Sequence, residues 1–112
     1  MRRGEIWTVA GAKDYAGKPR PAVILQDDHF DKLHSVTICL FTTDPADAPV
    51  FRPEIEPSAS NGLRFVSWLM VDKITTVPKS RVGVRIGRLA DEDIVRLTRA
   101  VLVFLGIAAP RD

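Results

Sequence analysis

The sequence contains one cysteine, two histidines and no long run of apolar residues. A single cysteine excludes a disulfide within the chain, and the apolar neighbours of Cys39 predict a buried structural thiol rather than a nucleophile. No segment approaches the ~18 consecutive apolar residues of a membrane span. Residues 1–5 lead into a predicted strand and not into the apolar segment of a signal peptide, so we expect a cytoplasmic protein that does not enter a membrane.

Motifs for metal-dependent and nucleotide-dependent chemistry are missing as well. The sequence has no Cys and His cluster with metal-ligand spacing, no phosphate-cradling glycine loop before a helix, and no Gly-x-Ser-x-Gly nucleophile elbow. His29 and His34 lie in a polar segment, where solvated side chains are commoner than catalytic ones. We therefore predict no metal site and no cofactor.

The formal net charge is only +2, but the charges are unevenly distributed. Acidic residues outnumber basic ones between residues 27 and 60, whereas basic residues dominate near the start and between residues 79 and 88. If folding brings the two basic segments together, they form a face that attracts an anionic polymer. A solvated surface explains each segment taken singly about as well.

The 112 residues, of which 46% are hydrophobic, suit a single globular domain spanning residues 1–112. Short apolar or alternating segments predict roughly five to seven strands, mainly at residues 5–9, 22–26, 35–41, 50–56, 63–71 and 82–87. Residue type predicts a turn at Asn61-Gly62. Apolar residues at helical spacing from Asp91 to Leu105, with acids in the first turn and Gly106 at the end, predict one helix. The predicted fold class is mainly β with a C-terminal helix, a small barrel or curled sheet capped by that helix.

The segment around Arg20 is the most informative local feature. Prolines at positions 19 and 21 fix the backbone φ angle and favour extended conformations for Lys18 and Arg20, while the apolar residues 22–25 anchor the segment. A planar, permanently charged guanidinium on a rigid support suits recognition of a phosphate. An arginine that is merely solvated at a loop–strand junction is the alternative. Polar side chains at other strand ends also suit phosphate chemistry: Thr42 or Thr43, Ser67 and Asp72.

Three segments follow one another along the chain: Arg3-Gly4-Glu5-Ile6-Trp7, then Gly-Lys-Pro-Arg-Pro-Ala-Val-Ile-Leu at 17–25, then Ser-Trp-Leu-Met-Val-Asp-Lys-Ile-Thr-Thr-Val at 67–77. In this order and spacing, and followed by the terminal helix, they resemble the MazF/PemK toxins of bacterial toxin–antitoxin systems over essentially the whole chain. The resemblance implies an SH3-like barrel of the MazF/PemK/CcdB type that forms a homodimer.

The resemblance also implies an activity and a partner. Such toxins are endoribonucleases that cleave single-stranded RNA at short sequences without a metal ion, leaving a 2′,3′-cyclic phosphate and a 5′-hydroxyl. They are inhibited by an antitoxin whose acidic C-terminal tail occupies the RNA groove, and they contact DNA only through that antitoxin.

The family's catalytic residues match three positions of this chain. The catalytic arginine matches Arg20, and the threonine at the end of the third strand matches Thr42, with Thr43 as the alternative if the register differs by one. Arg20 suits stabilisation of charge on the phosphoryl oxygens through bidentate hydrogen bonds, and Thr42 adds a neutral one. Asp72 matches an acid of some members and is the candidate base, because an arginine with a pKa above about 12 is a poor one. The alternatives to Asp72 are a base from the partner subunit or no protein base at all.

Further residues are predicted to bind RNA, since single-stranded RNA is held by stacking on aromatic rings and by polar contacts. Tyr15 and Phe30 are the candidates for stacking, and Lys13 and Lys18 for backbone phosphates. The remaining residues predicted to bind RNA are Pro19, Thr43 and Ser67.

The chain departs from the family pattern at three positions. Tyr15 stands where some members carry an acid five residues before the arginine, and Met70 stands where some carry an arginine two residues before the later acid. Ala90 occupies a position where a Ser or Thr helix cap is expected. Two other classes of function compete with the ribonuclease: a CcdB-like DNA gyrase poison that acts through the terminal helix, and a non-catalytic nucleic-acid-binding barrel.

Overall fold

The computed structural model describes residues 1–11, 18–45 and 50–109. Within these ranges lie seven strands and one α-helix: β1 (Glu5–Val9), β2 (Arg20–Ile24), β3 (Ser35–Thr42), β4 (Glu54–Ile55), β5 (Ser67–Leu69), β6 (Thr75–Pro78), β7 (Val82–Arg88) and α1 (Asp91–Phe104). Short 3₁₀ turns occur at Asp28–Phe30, Val71–Lys73 and Lys79–Arg81. The predicted fold class, mainly β with a C-terminal helix, is confirmed, and the sheet forms a half-barrel.

Strand β3 is the centre of the sheet. The strands follow one another in the order β4-β5-β3-β2-β1-β7, and β6 also pairs with β3. β5 pairs with the C-terminal end of β3 at Phe41 and Thr42, whereas β6 pairs with its N-terminal part. One edge of β3 is therefore divided between two strands, as expected of a strongly curled sheet, and β2 occupies the other edge.

Alternate side chains of β3 enter two hydrophobic clusters, one on each face of the sheet. Cys39 and Phe41 belong to the helix-side cluster, together with Leu97 of α1. The opposite-face cluster contains Val9, Ala22, Ile24, Val36, Ile38 and Val77. β3 is thus buried on both faces, which accounts for its nearly continuous run of apolar residues.

The turn predicted at Asn61-Gly62 fixes the segment before β5 against β7. Asn61 is buried, its side-chain amide donates to the carbonyl of Glu56 at 2.8 Å, and its Oδ1 accepts from the backbone N–H of Leu63 at 2.9 Å. Gly62 has a φ of 71°, and a Cβ there would lie 2.1 Å from the carbonyl oxygen of Ile86. Because only glycine fits this backbone and this contact, the segment that follows has a defined position beside β7.

Two predicted strands are wrong in extent. The strand predicted at residues 50–56 is reduced to Glu54–Ile55, and the one predicted at residues 63–71 is reduced to Ser67–Leu69. Pro53 lacks the backbone N–H that a strand residue donates to its neighbouring strand. It is buried as part of a loop and not as part of a strand. β2 begins at Arg20, two residues earlier than expected, because Arg20 pairs with Val9 of β1.

The terminal helix is confirmed over Asp91–Phe104. Ala90 occupies the N-cap position without a side-chain hydrogen bond, while the three acids of the first turn supply the negative charge that the helix dipole favours. Leu105 and Ile107 beyond its end are exposed. Among the described residues, no helix combines the length and apolar character needed to cross a membrane.

Candidate nucleic-acid interface

Arg20 is the first residue of β2, and its exposed side chain lines a pocket of about 290 Å³. The charged side chains that line this Arg20 pocket in the described part of the chain are Arg20, Lys73 and Arg81, all of them cations. Its apolar walls come from Val9, Ile38, Leu40, Met70 and Val77. Apolar walls strengthen the attraction between the cations and an anion, since they exclude water from the space between the charges.

The strand register puts Thr42 on the same face as Arg20. β2 and β3 are antiparallel, with Ala22 opposite Leu40. The same register, continued by two residues, aligns Arg20 with Thr42 at the end of β3. Directly opposed residues have Cβ atoms about 4.5–5.5 Å apart, so one phosphate can contact both side chains.

The Thr42 hydroxyl is oriented by its own loop. Its Oγ1 accepts a hydrogen bond from the backbone N–H of Asp44 at 3.2 Å. A hydroxyl that accepts one hydrogen bond still has its own proton to donate. Thr42 therefore combines a defined position with a donor for an anionic ligand.

Thr43 lies on the other face of the sheet, where it lines a second pocket of about 500 Å³ with Pro19, Arg64, Phe65 and Ser67. We call this site the Phe65 pocket, because the Phe65 side chain in its wall is 68% exposed. The Ser67 hydroxyl donates to the carbonyl of Phe65 at 2.9 Å and so helps to shape the wall. Three of the residues predicted to bind RNA, Pro19, Thr43 and Ser67, thus come together.

The other predicted RNA-binding residues do not join these pockets. Lys13 and Tyr15 lie outside the described residues. Lys18 is exposed just before β2 but lines neither pocket. Phe30 is exposed in the 3₁₀ turn that follows the far end of β2, away from Arg20, so its predicted stacking role has no support from the geometry.

Asp72 lies in neither pocket. Its two carboxylate oxygens accept hydrogen bonds from Nε and Nη2 of Arg52, each at 2.9 Å, and both side chains are largely buried. The hydrogen bonds from Arg52 outweigh burial and hold the pKa of Asp72 below its ordinary value. A carboxylate with a lowered pKa and both oxygens engaged is a poor proton acceptor, so the geometry favours a structural role over the predicted one as base.

Cys39 and the histidines take no part in either pocket. Cys39 is fully buried in β3, and burial raises the pKa of its thiol to about 12, which confirms the predicted structural role. His29 is exposed, and its hydrogen bond with Asp27 raises its pKa. The described residues contain no group of three His, Cys, Asp or Glu side chains arranged to hold a metal ion.

The charged and aromatic residues of the two pockets that the sequence did not single out as site residues are Arg64, Phe65, Lys73 and Arg81. Lys73 belongs to the segment at 67–77 that carried the resemblance, and Arg81 belongs to the basic segment at 79–88. The charge pattern therefore pointed to the right part of the chain. It did not reveal which cations face Arg20, because that depends on the pairing of β6 and β7.

Sequence comparison assigns nearly the whole chain to one family of proteins. The profile of the family described as "PemK-like, MazF-like toxin of type II toxin-antitoxin system" matches residues 2–105. The protein named "Probable endoribonuclease MazF" of Mycolicibacterium smegmatis is 57% identical over 108 residues, which cover 96% of this chain and 99% of that protein.

Solved structures agree with this assignment. The Mycobacterium tuberculosis toxin MazF-mt6 is 25% identical, with a TM-score of 0.78 over 91% of this chain and 96% of that one. An endoribonuclease in complex with its cognate antitoxin from a mycobacterial species is 19% identical, with a TM-score of 0.79 over 98% and 99% of the two chains. A MazE–MazF complex from Deinococcus radiodurans, 16% identical with a TM-score of 0.76 over 96% and 98%, shares the fold. These matches give no support to a gyrase poison.

Proposed function

Because this chain belongs to the PemK-like, MazF-like toxin family of type II toxin–antitoxin systems, we propose that it is the toxin of such a system and cleaves single-stranded RNA as an endoribonuclease. The observation that carries the catalytic part of the proposal is the alignment of Arg20 and Thr42 on one face of β2 and β3. Arg20 lines a pocket whose charged residues, among those described, are cations. A phosphodiester is the RNA group that this arrangement recognises.

The proposed reaction uses the ribose 2′-hydroxyl as nucleophile. Its oxygen attacks the adjacent phosphorus atom, and the bond from phosphorus to the 5′-oxygen of the next nucleotide breaks. The products are a 2′,3′-cyclic phosphate and a 5′-hydroxyl. Negative charge grows on the non-bridging phosphoryl oxygens during this step, where Arg20 donates two hydrogen bonds and Thr42 donates one.

The 2′-hydroxyl must lose its proton, and the proposed scheme does not use Asp72 as the acceptor. Asp72 already accepts two hydrogen bonds from Arg52 and lines no part of the Arg20 pocket. The acceptors that the proposal keeps are solvent and a group of the partner subunit. Asp72 instead positions the turn Val71–Lys73, which borders the Arg20 pocket.

The proposal is tested by incubating the full chain with a long single-stranded RNA in the presence of EDTA. We expect cuts at a short sequence motif, and fragments whose new 5′ ends accept phosphate from a polynucleotide kinase without prior phosphatase treatment. Cutting that appears only after Mg²⁺ is added would contradict the metal-independent scheme. RNA that stays intact with and without Mg²⁺ would leave a non-catalytic binding barrel as the better description.

We also propose that the Phe65 pocket holds a base next to the scissile phosphate. Consecutive residues at the start of β2 line different pockets: Arg20 lines one, and its two neighbours Pro19 and Pro21 line the other. An RNA strand that crosses the ends of β2 and β3 therefore meets both sites. The exposed ring of Phe65 offers a stacking surface, and the hydroxyl of Thr43 offers a hydrogen bond to a base edge.

Replacing Phe65 by alanine should weaken cleavage at the preferred motif and relax base preference at one position. The expected loss in kcat/KM is about 10- to 100-fold, since base–aromatic stacking contributes ~1–3 kcal/mol. The neighbouring exposed Val66 does not line the pocket, so Val66→Ala is the matched control. Sequencing the 5′ ends of fragments from a long RNA measures both effects. A Phe65→Ala protein with the motif and rate of the parent would exclude this base site.

We further propose a homodimer and an antitoxin partner with an acidic C-terminal tail. The basic Arg20 pocket is complementary in charge to an acidic polypeptide. Exposed apolar residues lie on α1 and beyond its end, where a second copy would cover them: Val95, Leu105 and Ile107. In this proposal the toxin acts in the cytoplasm, where its RNA is, and reaches DNA only through the antitoxin.

A further inference from the structure

We propose that Lys73 and Arg81 bind a second phosphate of the RNA strand, next to the scissile phosphate held by Arg20 and Thr42. This inference rests on the proposed ribonuclease function and adds two phosphate-binding residues to it. The two cations come from different elements, the turns at Val71–Lys73 and Lys79–Arg81, and meet in the Arg20 pocket only because of the strand pairing.

Arg81 is brought to the pocket through β1. Val9, the last residue of β1, pairs with Arg20 on one side and with Val82 on the other. The backbone N–H of Ala10 donates to the carbonyl of Arg81 at 2.8 Å. Arg20 and Arg81 therefore flank the C-terminal end of β1 from opposite sides, and the side chains of both line the same pocket.

Lys73 approaches from a third direction. Its backbone N–H donates to the carbonyl of Met70 at 2.9 Å, which closes the turn, and the neighbouring Asp72 is held by Arg52. β6 begins two residues later and pairs with β3, so the turn is anchored at both ends. Lys73 thus lines the pocket from a backbone of defined geometry.

Neither cation is neutralised within the described part of the chain. Lys73 and Arg81 are exposed and form no ion pair or side-chain hydrogen bond with another described residue. By contrast, the nearby Lys79 is paired with Asp31, and Arg85 is paired with Glu5. Like charges on one pocket with apolar walls repel each other, and an anion in the pocket removes that repulsion.

The anion that suits this position is a phosphate of the same RNA strand. A pocket of about 290 Å³ has room for more than the one phosphate assigned to Arg20 and Thr42. A nucleic-acid strand carries one such charge per nucleotide, so a strand bound at the scissile bond brings the next phosphate along with it. Contacts of this kind fix the register of the strand and carry no base preference.

The test is the salt dependence of binding to an RNA that cannot be cut because its 2′-hydroxyls are methylated. The logarithm of the association constant K falls linearly as log[salt] rises, and each phosphate contact with a single strand makes this slope steeper by about 0.7. We expect Lys73→Met and Arg81→Met each to lower the slope by about that amount, and to weaken binding about 5-fold at about 0.1 M salt. Lys73→Arg should retain the slope. Lys32→Met, the same change at an exposed lysine outside the pocket, is the matched control.

The outcomes separate this inference from the function on which it rests. Parental slopes in both pocket variants, with normal RNA binding by the parent, would overturn the inference alone. Failure of the parent to bind or cut RNA would overturn the proposed function. If the two variants lose affinity for poly-glutamate but keep the parental RNA slope, the cations serve an acidic polypeptide and the second-phosphate site is refuted.

Discussion

We expect Arg20→Ala to lower RNA cleavage by about 100- to 1000-fold and to leave the fold intact. In the proposed reaction this change removes a bidentate hydrogen-bond donor to the phosphate on which charge develops. Loss of a single such donor lowers kcat by about 100- to 1000-fold in other enzymes. Arg20 is exposed at the start of β2, so its truncation opens no cavity in either hydrophobic cluster. Initial rates on one RNA substrate, together with the thermal unfolding midpoint, measure both parts of the expectation.

Matched variants make this result specific. Lys32→Ala removes an exposed cation that lines neither pocket, and it should cut at close to the parental rate. Arg20→Lys keeps the charge but loses the planar fork, so most of the activity should still be lost. In the same assay Thr42→Val should slow cleavage more than Thr43→Val, because only Thr42 shares a face with Arg20. Parental activity in Arg20→Ala would remove this arginine from the mechanism.

Asp72→Asn should lower the free energy of unfolding by about 2–4 kcal/mol at neutral pH. The substitution removes the carboxylate that accepts two charge-assisted hydrogen bonds from Arg52, and it leaves a largely buried guanidinium without its counter-charge. Urea unfolding of the parent and the variant measures the difference. Asp44→Asn, the same change at an exposed position without an ion pair among the described residues, should have little effect.

The stability difference should also depend on pH in a defined direction. Hydrogen bonds from Arg52 hold the pKa of Asp72 in the folded protein below its ordinary value of 3.8. A group of this kind contributes its stabilisation fully above the unfolded pKa and loses it as the pH falls through the folded pKa. The gap between the parent and Asp72→Asn should therefore stay constant from about pH 5 to about pH 8 and shrink below about pH 4. A gap that stays constant down to about pH 2 would contradict the pairing.

Activity of the same variant separates a positioning role from a catalytic one. Where Asp72→Asn is folded, we expect cleavage within a few-fold of the parent. A large loss of activity at unchanged stability would return Asp72 to the role of base. The pH profile of the parent gives a second criterion: a base with so low a pKa is ionised throughout the neutral range and gives a flat profile, whereas proton transfer to solvent makes the rate rise with pH.

Local patterns were sufficient for the elements with strong periodicity. Alternation predicted β1, and a short apolar segment after a polar loop predicted β3. Helical spacing with acids at the start predicted α1, and residue type predicted the turn at Asn61-Gly62. The lengths of β4 and β5 were overestimated, because an apolar residue can be buried equally well in a paired strand or in an irregular loop. The hydrogen bonds that distinguish the two cases depend on a partner strand that is distant in sequence.

The sequence by itself determined the rigid proline-flanked setting of Arg20, the family and the residues available for phosphate chemistry. Only the tertiary structure decided which of them share a pocket. One step along a strand changes the face, so the register of β2 against β3 joins Arg20 to Thr42 and separates both from Thr43. The pairing of Asp72 with Arg52 and the approach of Lys73 and Arg81 to Arg20 depend in the same way on long-range contacts, which leave no trace in local periodicity.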